Sequence, residues 1–334
     1  MESWKQVRGI LLTPPTPRCS TWGMKEDYPR AILEFEDRFR TEEACRDYLI
    51  GLRWPEGFVC PRCGEGAGWP ASRGRIICCA CRHQASVTAG TIFEGSRKPL
   101  RLWFRAIWHV TSQKNGASAV GLQRVLGLGS YQTAWTWLHK LRRAMVRPGR
   151  DRLSGRVEVD ETYIGGEESQ TDDRQATRKA LVAVAAEEDG RGIGRIRMAR
   201  IPAATKQSLH GFVQQTIDPG SIVHTDGLVA YRGLEALGYE HEITVLQDEV
   251  ENDAAVRLLP RVHRVAALVK RWLLGTHQGA VSPEHLDYYL DEYTFRFNRR
   301  TSRSRGKLFY RLLQQAVQIE PSPYRAIVGG DHNI

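Results

Sequence analysis

Two pairs of cysteines constrain the fold of this chain more than any other feature. Cys60 and Cys63 form one Cys-x-x-Cys turn, Cys78 and Cys81 form a second, and 14 residues separate the two turns. Each turn directs two thiolates at one point, so two turns at this spacing predict the tetrahedral Zn²⁺ site of a zinc ribbon. A redox Cys-x-x-Cys or unrelated buried thiols are the alternatives. Cys79 is adjacent to Cys78, but only Cys78 has the required spacing, so we leave Cys79 outside the predicted site.

The length and composition limit the class of protein. A chain of 334 residues can form two or three domains and bury a sizeable core. Its seven cysteines are odd in number and clustered, unlike those of a secreted disulfide scaffold. No apolar run approaches the roughly 20 residues that span a bilayer, and the first residues lack the apolar stretch of a secretory signal. We therefore expect a protein of the cytosol without membrane contact.

The net charge of +10 is concentrated in two segments. Residues 95–150 carry 11 Lys and Arg, residues 293–319 carry 7, and neither segment contains an Asp or Glu. The remainder of the chain is net acidic. Two solvated basic faces would satisfy these counts, but 56 consecutive residues without an acid favour a surface that binds a polyanion, above all nucleic acid.

The first basic segment is predicted to be helical. Two helices, over about 117–126 and 131–146, flank a Gly-Leu-Gly-Ser turn in a helix–turn–helix pattern. The second helix would present an exposed face, and such a face can lie on DNA. A helical linker with a solvated basic side is the alternative. The residues of this face that we predict to bind DNA are Gln132, Lys140 and Arg143, with Thr136 between them.

Residues 151–300 have the pattern of an α/β domain. Strands are predicted at 155–164, 180–186, 196–201, 221–225 and 243–246, and helices at 205–216, 228–237, 261–274 and 282–299. Three successive strands followed by alternating helices and strands indicate a mixed sheet with flanking helices. The predicted division is a flexible arm at 1–38, a helix plus zinc ribbon at 39–94, a basic helical DNA-binding segment at 95–150, the α/β domain at 151–300 and a basic tail at 301–334.

Two aspartates mark a candidate site in this domain. Asp160 lies inside the first strand on a polar face, and Asp226 ends the fourth strand. Carboxylates at strand ends border the crevice where α/β sheets bind ligands, and two of them can hold a pair of divalent cations that act on a phosphodiester. The alternative is that they are unrelated turn and capping residues, with Asp226 and Gly227 forming an ordinary Asp-Gly turn.

A family resemblance adds to this interpretation. The string VEVDETYIGG at 157–166 resembles the signature of bacterial insertion-sequence transposases of the DDE superfamily with an N-terminal zinc ribbon. The other motifs of the resemblance, in order, are the ribbon, AGTIF (89–93), SYQTAW (130–135), TDG (225–227), KR (270–271), GTH (275–277), HL (285–286) and YLDEYTFRFNRR (289–300). The resemblance implies a ribonuclease H-like catalytic domain that cleaves and transfers DNA strands with Mg²⁺, or alternatively Mn²⁺, and has Asp160 and Asp226 as its first two acids.

The third catalytic position departs from the family pattern. Family members carry Glu or Asn seven residues before a Lys, whereas here His263 stands seven residues before Lys270. That spacing places both on one helix face. A neutral imidazole can ligate a metal or orient a water, although it suits Mg²⁺ less well than a carboxylate, and Lys270 would contact a DNA phosphate. The alternatives are an incidental histidine, a decayed site, or a third ligand among Glu249, Glu251 and Asp253.

A late helix carries further candidates. Glu292, Arg296 and Arg299 stand at i, i+4 and i+7, a spacing that the family shares. Glu292 could join the metal site or simply position Arg296, and the two arginines suit phosphate contact with DNA. An ordinary ion pair between Glu292 and Arg296 is the alternative.

These features together predict a DNA transposase of an insertion sequence. It would bind double-stranded DNA at terminal inverted repeats and at the target, and would act as a homo-oligomer on DNA in the bacterial cytosol or nucleoid. A catalytically decayed zinc-ribbon DNA-binding protein is the main alternative, because His263 replaces the usual third ligand. A nuclease that only hydrolyses DNA and a zinc-ribbon protein adaptor are the others.

Overall fold

The computed structural model describes residues 26–147, 149–165, 179–244, 259–279 and 281–329, and its strands form two separate sheets. The smaller sheet is an antiparallel ribbon of three short strands. They are β1 (Gly68–Ala71), β2 (Arg75–Cys78) and β3 (Gln84–Ser86). Such a short ribbon buries little apolar surface, so it depends on a cross-link for stability.

Five α-helices of the described residues precede the larger sheet and share one apolar core. They are α1 (Ile32–Arg38), α2 (Glu42–Arg53), α3 (Leu100–Ser112), α4 (Ala119–Leu126) and α5 (Tyr131–Arg143). Thr41 accepts a hydrogen bond from the Ala44 amide and so caps α2, as its sequence indicates. Ser130 occupies the corresponding position before α5, but its side chain makes no capping hydrogen bond. Trp103 of α3 stacks on Trp137 of α5 with ring centroids 3.8 Å apart.

Both ends of the chain differ from the sequence-based prediction. The predicted flexible arm at 1–38 includes α1, whose Phe35 is buried against Trp108 and Phe309; residues 1–25 lie outside the described part. The predicted basic tail at 301–334 contains a helix, α9 (Arg305–Ala316), which packs in the same core. Its Leu308, Phe309, Leu312 and Leu313 recur at helical spacing, so the apolar face determines its position despite the basic residues around it.

The larger sheet has five strands in the order β6-β5-β4-β7-β8. The strands are β4 (Arg156–Ile164), β5 (Ala180–Asp189), β6 (Gly192–Ile201), β7 (Ile222–Thr225) and β8 (Glu240–Ile243). The first three form an antiparallel meander, whereas β4–β7 and β7–β8 pair in parallel. This is the mixed α/β sheet that the sequence predicts, with the ribonuclease H-like topology.

Helices cover both faces of this sheet. On one face lies α6 (Lys206–Thr216), and on the other lie α7 (Pro260–His277) and α8 (Leu286–Phe297). The inner strand β5 is apolar on both faces because Val182 and Val184 pack towards α7 while Ala183 and Ala185 pack towards α6. A short helix, α10 (Tyr324–Val328), lies near the C-terminal end.

One predicted helix is absent from the described sheet domain. Residues 228–237 form two short 3₁₀ turns, Val229–Tyr231 and Glu235–Leu237, instead of an α-helix. Gly233 lies between them at φ 92°, a left-handed conformation that interrupts a helix. Among the described helices, none combines the length and the apolar character required to cross a membrane.

Candidate active site

The four predicted zinc ligands converge in the ribbon. The sulfur atoms of Cys60, Cys63, Cys78 and Cys81 all lie within 4.8 Å of one another. The Sγ–Sγ distances are 3.6 Å for Cys60–Cys81 and 3.5 Å for Cys63–Cys78. Zn–S bonds of about 2.3 Å at a tetrahedral angle separate sulfurs by about 3.8 Å, so this donor set fits Zn²⁺. Cys79 is exposed and lies outside the cluster.

The two halves of the cysteine cluster have the same backbone structure. The amide of Gly64 donates to the Cys60 carbonyl, and the amide of Arg82 donates to the Cys78 carbonyl. Gly64 and Arg82 both adopt positive φ, at 78° and 59°. Arg82 is not a glycine, and its guanidinium lies 5.0 Å from the centre of the Trp69 ring. The two Cys-x-x-Cys turns therefore have the same backbone conformation, although only the first has a glycine, Gly64, at the position with positive φ.

The two candidate aspartates lie at the same level of two neighbouring parallel strands. In the β4–β7 pairing, Glu158 is opposite His224, and Asp160 and Asp226 each follow two residues later. Asp160 is largely buried, whereas Asp226 is exposed and accepts a hydrogen bond from the Leu228 amide. The side chains of Glu158 and Asp160 lie on the α7 face because side chains two residues apart in a strand share a face.

The electrostatics of this pair favour a bound cation. Burial raises the pKa of Asp160 above its ordinary value, and the negative charges of Asp226 and Glu158 act in the same direction. His263 opposes them in part. The carboxylates therefore repel one another, and a divalent cation that accepts oxygen ligands would relieve this repulsion.

His263 lies beside Asp160 in the structure. Its Nδ1 atom is 3.8 Å from an Asp160 carboxylate oxygen, and both side chains retain some exposure, 31% and 19%. The histidine is in the first turn of α7, so the position of that helix end determines the contact. Lys270 lies two turns further along α7 and is exposed. The alternative third ligands Glu249, Glu251 and Asp253 lie outside the described residues.

Glu158 fixes the start of α7. Its buried carboxylate accepts hydrogen bonds from the amides of Arg261 and Val262 and from the Arg261 guanidinium, at 2.7, 3.0 and 2.8 Å. A carboxylate at a helix N-terminus satisfies amides that have no partner within the helix and interacts favourably with the helix dipole. We did not predict this role from the sequence, although the alternation of Glu158 with Asp160 indicated that both face the same side.

On the opposite face of β4, a second carboxylate is half-buried. Glu161 accepts a hydrogen bond of 2.8 Å from the Tyr231 hydroxyl. Burial raises the pKa of Glu161, and the nearby Asp160 and Asp226 raise it further, whereas the bond from Tyr231 lowers it. Glu161 therefore adds to the negative potential around the two aspartates.

Glu292 forms buried ion pairs with two arginines. Its side chain is completely buried, with its oxygens 2.8 Å from Arg142 Nε and 2.7 Å from Arg296 Nη2. Burial opposes ionisation, but Arg296 and Arg142 outweigh it and lower the pKa of Glu292 to about 2. These contacts are those of a buried ion-pair partner, the alternative that the i,i+4 spacing with Arg296 allows. Its partner Arg142 comes from α5, 150 residues away in sequence, which the local spacing could not indicate.

The two arginines of the same helix also make internal contacts. Arg296 donates to Glu292 and to the backbone carbonyls of Val110 and Gln113, and its side chain is only 11% exposed. These contacts join α8 to α3, and the role of Arg296 in DNA binding stays a prediction. Arg299 stacks on Phe295 at 4.1 Å and borders a cavity.

The predicted DNA-binding face of α5 is only partly exposed. Gln132 is exposed, but Lys140 is half-buried and directed towards the Ile92 carbonyl. Arg143 is half-buried and donates to Ser322 near the C-terminal end. The C-terminal segment, which we predicted to be a basic tail, covers this part of the helix, so Lys140 and Arg143 do not form the open face that was predicted.

Comparison with known proteins agrees with the architecture. The model of an ISXO2-like transposase domain matches residues 152–298, and that of a transposase zinc-ribbon domain matches residues 40–84. Together they match more than half of the chain and confirm the resemblance. The protein is a transposase with a ribonuclease H-like catalytic fold. Within that class, the chain belongs to the DDE-type insertion-sequence family that combines a zinc ribbon with an ISXO2-like domain.

Individual proteins show more distant similarity. A protein of the transposable element ISH50 in Halobacterium salinarum is 28% identical over 291 residues, which cover 80% of this chain and 94% of that protein. The Mos1 strand transfer complex is 15% identical with a TM-score of 0.26, and covers 72% of this chain and 81% of the Mos1 chain. A simian T-cell lymphotropic virus intasome is 14% identical with a TM-score of 0.29, over 61% and 74% of the two chains. At these TM-scores the fold assignment depends on the sheet topology and the family models instead.

Proposed function

We propose that this transposase binds the terminal inverted repeats of its element and catalyses divalent-metal-dependent strand cleavage and strand transfer. The observation that carries the proposal is the placement of Asp160 and Asp226 at the same level of adjacent parallel strands, with His263 3.8 Å from Asp160. The ribbon and the helices at 39–150 would recognise DNA, and the domain at 151–300 would carry the chemistry. Transposition requires two DNA ends in one complex, which favours a homo-oligomer on DNA in the bacterial cytosol.

The donor set fits Mg²⁺ through its carboxylates. Asp160 and Asp226 would hold the metal, because hard cations prefer carboxylate oxygens. Bound divalent ions activate the attacking oxygen and stabilise the leaving oxygen of a phosphodiester. The imidazole of His263 is a better ligand for Mn²⁺ than for Mg²⁺, so we expect Mn²⁺ to support activity as well.

The chain supplies three other contributions. Glu158 positions the first turn of α7 and with it His263. His263 can accept a proton or orient a water beside Asp160. The exposed Lys270 is available to a DNA phosphate that lies along α7.

A DNA-binding protein without activity is the second candidate. It is favoured by His263 at the position where the family carries Glu or Asn, and by Glu292, whose carboxylate is fully occupied by two arginines. In that case the ribbon and basic surfaces would still bind DNA, but the aspartates would have no complete metal site.

A strand-transfer assay distinguishes the two candidates. It would combine labelled DNA from the flanks of the protein's own element with a supercoiled target and Mg²⁺ or Mn²⁺. We expect joined product from the wild type, loss of product with Asp160→Ala and a large decrease with His263→Ala. Asp37→Ala is the matched control, because this carboxylate is exposed on α1, outside the sheet domain and outside the helices assigned to DNA recognition, and its product should persist.

The opposite outcomes are equally clear. Absence of product from the wild type, with appearance of product in His263→Glu, would establish the decayed protein. Persistence of product in Asp160→Ala would contradict the proposed site altogether. Cleavage without joining in the wild type would identify a hydrolytic nuclease.

A further inference from the structure

A basic cavity lies away from the two aspartates. Its volume is about 630 Å³, and it lies between the helical part of the chain and the outer strand β6 of the large sheet. Six arginines line it. They are Arg147, Arg150, Arg195, Arg197, Arg299 and Arg311. Asp151 and Asp291 are the acids in its lining, so the walls are strongly cationic.

The two acid-free segments of the sequence meet at this cavity. Arg147 and Arg150 belong to the segment 95–150, and Arg299 and Arg311 belong to the segment 293–319. Neither the ribbon nor the α5 face accounts for these charges. The fold brings them together because α9 returns to pack against α3.

Internal ion pairs compensate only half of the arginines. Arg147 pairs with Asp151 at 3.0 Å, Arg195 pairs with Glu187 at 2.5 Å, and Arg311 pairs with Glu26. Across the described ranges, the other three form no ion pair with a carboxylate. These three are Arg150, Arg197 and Arg299.

Two of the uncompensated arginines are anchored by neutral groups. Arg197, which is 6% exposed, donates to the backbone carbonyls of Ile196 and Asp151. Arg299 donates to the Phe295 carbonyl at 3.3 Å and stacks on the Phe295 ring. These contacts fix the guanidinium groups in place without pairing either of them directly with a carboxylate.

Burial and neighbouring positive charges act on both arginines. Burial lowers the pKa of Arg197 to about 10, Arg150 and Arg195 contribute to the shift, and Glu187 and Asp151 oppose it in part. Burial also lowers the pKa of Arg299 to about 10, with contributions from Arg311 and Arg147. Partly desolvated guanidinium groups that repel one another gain most from a multiply coordinating oxyanion.

The position of the cavity separates it from the catalytic centre. Arg195 and Arg197 lie on β6, which is two strands away from the Asp160 strand β4. Strands in a sheet are about 4.8 Å apart, so the lateral separation is about 10 Å. In the β-sheet register, Arg197 is level with Ala185 and Val159, on the face opposite to Asp160.

We propose that this arginine cavity binds backbone phosphates of duplex DNA and so anchors the DNA at a site distinct from the aspartate pair. The ligand rests on the proposed function, because a transposase must hold DNA outside the site of cleavage. The cavity contributes charge and planar donors without base-reading groups, so the contact would position DNA independently of sequence.

Salt-dependent binding of a short mixed-sequence duplex tests the proposal. Affinity would be measured by fluorescence anisotropy for the wild type and for Arg150→Gln/Arg299→Gln. Each lost phosphate contact lowers the slope of log K against log[salt] by about 0.9, so the double variant should lose about 2 in slope. The control Arg30→Gln/Arg325→Gln removes the same charge from exposed arginines outside the cavity and should retain the wild-type slope.

A stability measurement shows whether the variant is folded. Because Arg299 and its neighbours repel one another, we expect the Tm of the double variant to equal or exceed that of the wild type. Arg299→Lys retains the charge and should keep the wild-type salt slope, whereas Arg299→Gln should lower the slope by about 0.9.

Three results would overturn the proposal, and they differ from one another. A wild-type slope in the cavity variant would exclude the cavity while leaving DNA binding intact. An equal decrease of the salt slope in the control variant would show that the effect comes from the lower net charge and not from the cavity. Absence of salt-sensitive duplex binding in the wild type would reject DNA binding itself, and with it the proposed function.

Inorganic phosphate provides the last comparison. Phosphate could raise the Tm of the wild type but not that of the cavity variant, while both proteins bind duplex DNA with the same slope of log K against log[salt]. In that case the cavity is a site for free phosphate. That result would contradict the assignment to DNA.

Discussion

At the scale of single residues, Glu158 connects the strand of Asp160 with the helix of His263. Its carboxylate is 1% exposed and accepts the first amides of α7, so its removal would leave buried donors without partners. Glu188 is a natural comparison because it also pairs with Arg261 and is half-buried, but it accepts no amide of the helix.

We predict that Glu158→Gln lowers the free energy of unfolding by about 1–3 kcal/mol, since a buried charge-assisted cap is lost. Glu188→Gln should cost less than about 1 kcal/mol, because it removes only partly exposed ion pairs. Chemical denaturation measures both values. DNA cleavage should decrease in Glu158→Gln, because α7 no longer places His263 beside Asp160. Equal costs for the two variants would contradict the capping role.

The sequence predicts single residues well where the chemistry is local. The cysteine ligands were predictable because four thiolates at fixed spacing have few other uses, and the structure brings all four together. Asp160 was recognisable because a carboxylate inside an apolar, β-branched strand is costly to bury and is therefore expected to have a function. Glu292 and Arg296 were not predictable, because Arg142 and the Val110 carbonyl come from distant helices. An i,i+4 pattern is the same on a DNA-binding face and in a buried ion pair.

At the scale of elements, two glycines show opposite relations between sequence and structure. Gly116 lies in the connection between α3 and α4 at φ 81°, and a Cβ there would approach Glu292 Oε1 to 2.9 Å. Gly211 lies inside α6, has no positive φ, and a Cβ there would meet no atom within 4 Å. The first glycine is required by the fold, and the second is an unfavourable residue in a helix.

These two glycines give a matched pair of substitutions. Gly116→Ala should lower the free energy of unfolding by about 1–3 kcal/mol, because alanine strains the left-handed backbone and displaces the Glu292 ion pairs. Gly211→Ala should raise it by about 0.5–1 kcal/mol through helix propensity. Denaturation midpoints measure both changes. A neutral effect at Gly116 would show that the chain between α3 and α4 adjusts freely around Glu292.

The elements themselves were predictable to different degrees. The strands β4–β7 and the helices α6–α8 follow from alternation and helical periodicity, and most fall near their predicted positions. The helix predicted at 228–237 failed because its apolar residues fit a helix while Gly233 does not. The exposed face of α5 could not be predicted either, because the segment that covers it lies more than 170 residues later.

At the scale of the whole molecule, one buried network joins the helical part to the sheet domain. Arg142 from α5 contacts Glu292 from α8 and stacks over Tyr289 at 3.9 Å. His277 at the end of α7 packs edge-on against Tyr289 and Trp272. A charged cluster at a junction requires exact compensation, because an unpaired buried charge is costly. The GTH and YLDEYTFRFNRR motifs therefore contribute to the joining of two parts of the chain.

This network makes stability depend on pH in a defined window. Burial, together with Arg142 and Arg296, lowers the pKa of His277 to about 4 from an ordinary value of 6.5. Between these values the unfolded chain binds a proton that the folded chain rejects, so stability decreases as the pH falls from 6.5 towards 4. Glu292, with a pKa of about 2, adds a separate loss only below about pH 4.5.

We predict that the free energy of unfolding of the wild type falls by about 2 kcal/mol more than that of His277→Asn between pH 7 and pH 4.5. Acid also releases metal from the cysteine cluster, but this loss is common to both proteins and cancels in the difference. Urea denaturation at several pH values measures it. Between pH 7 and pH 8 His277 is neutral in both states, so the difference between the two proteins should be constant there. The free energy of unfolding could instead fall in parallel with acid pH in the two proteins. That result would show that His277 takes up its proton in the folded protein as well, so that Glu292 would have to compensate protonated His277 in addition to Arg142 and Arg296.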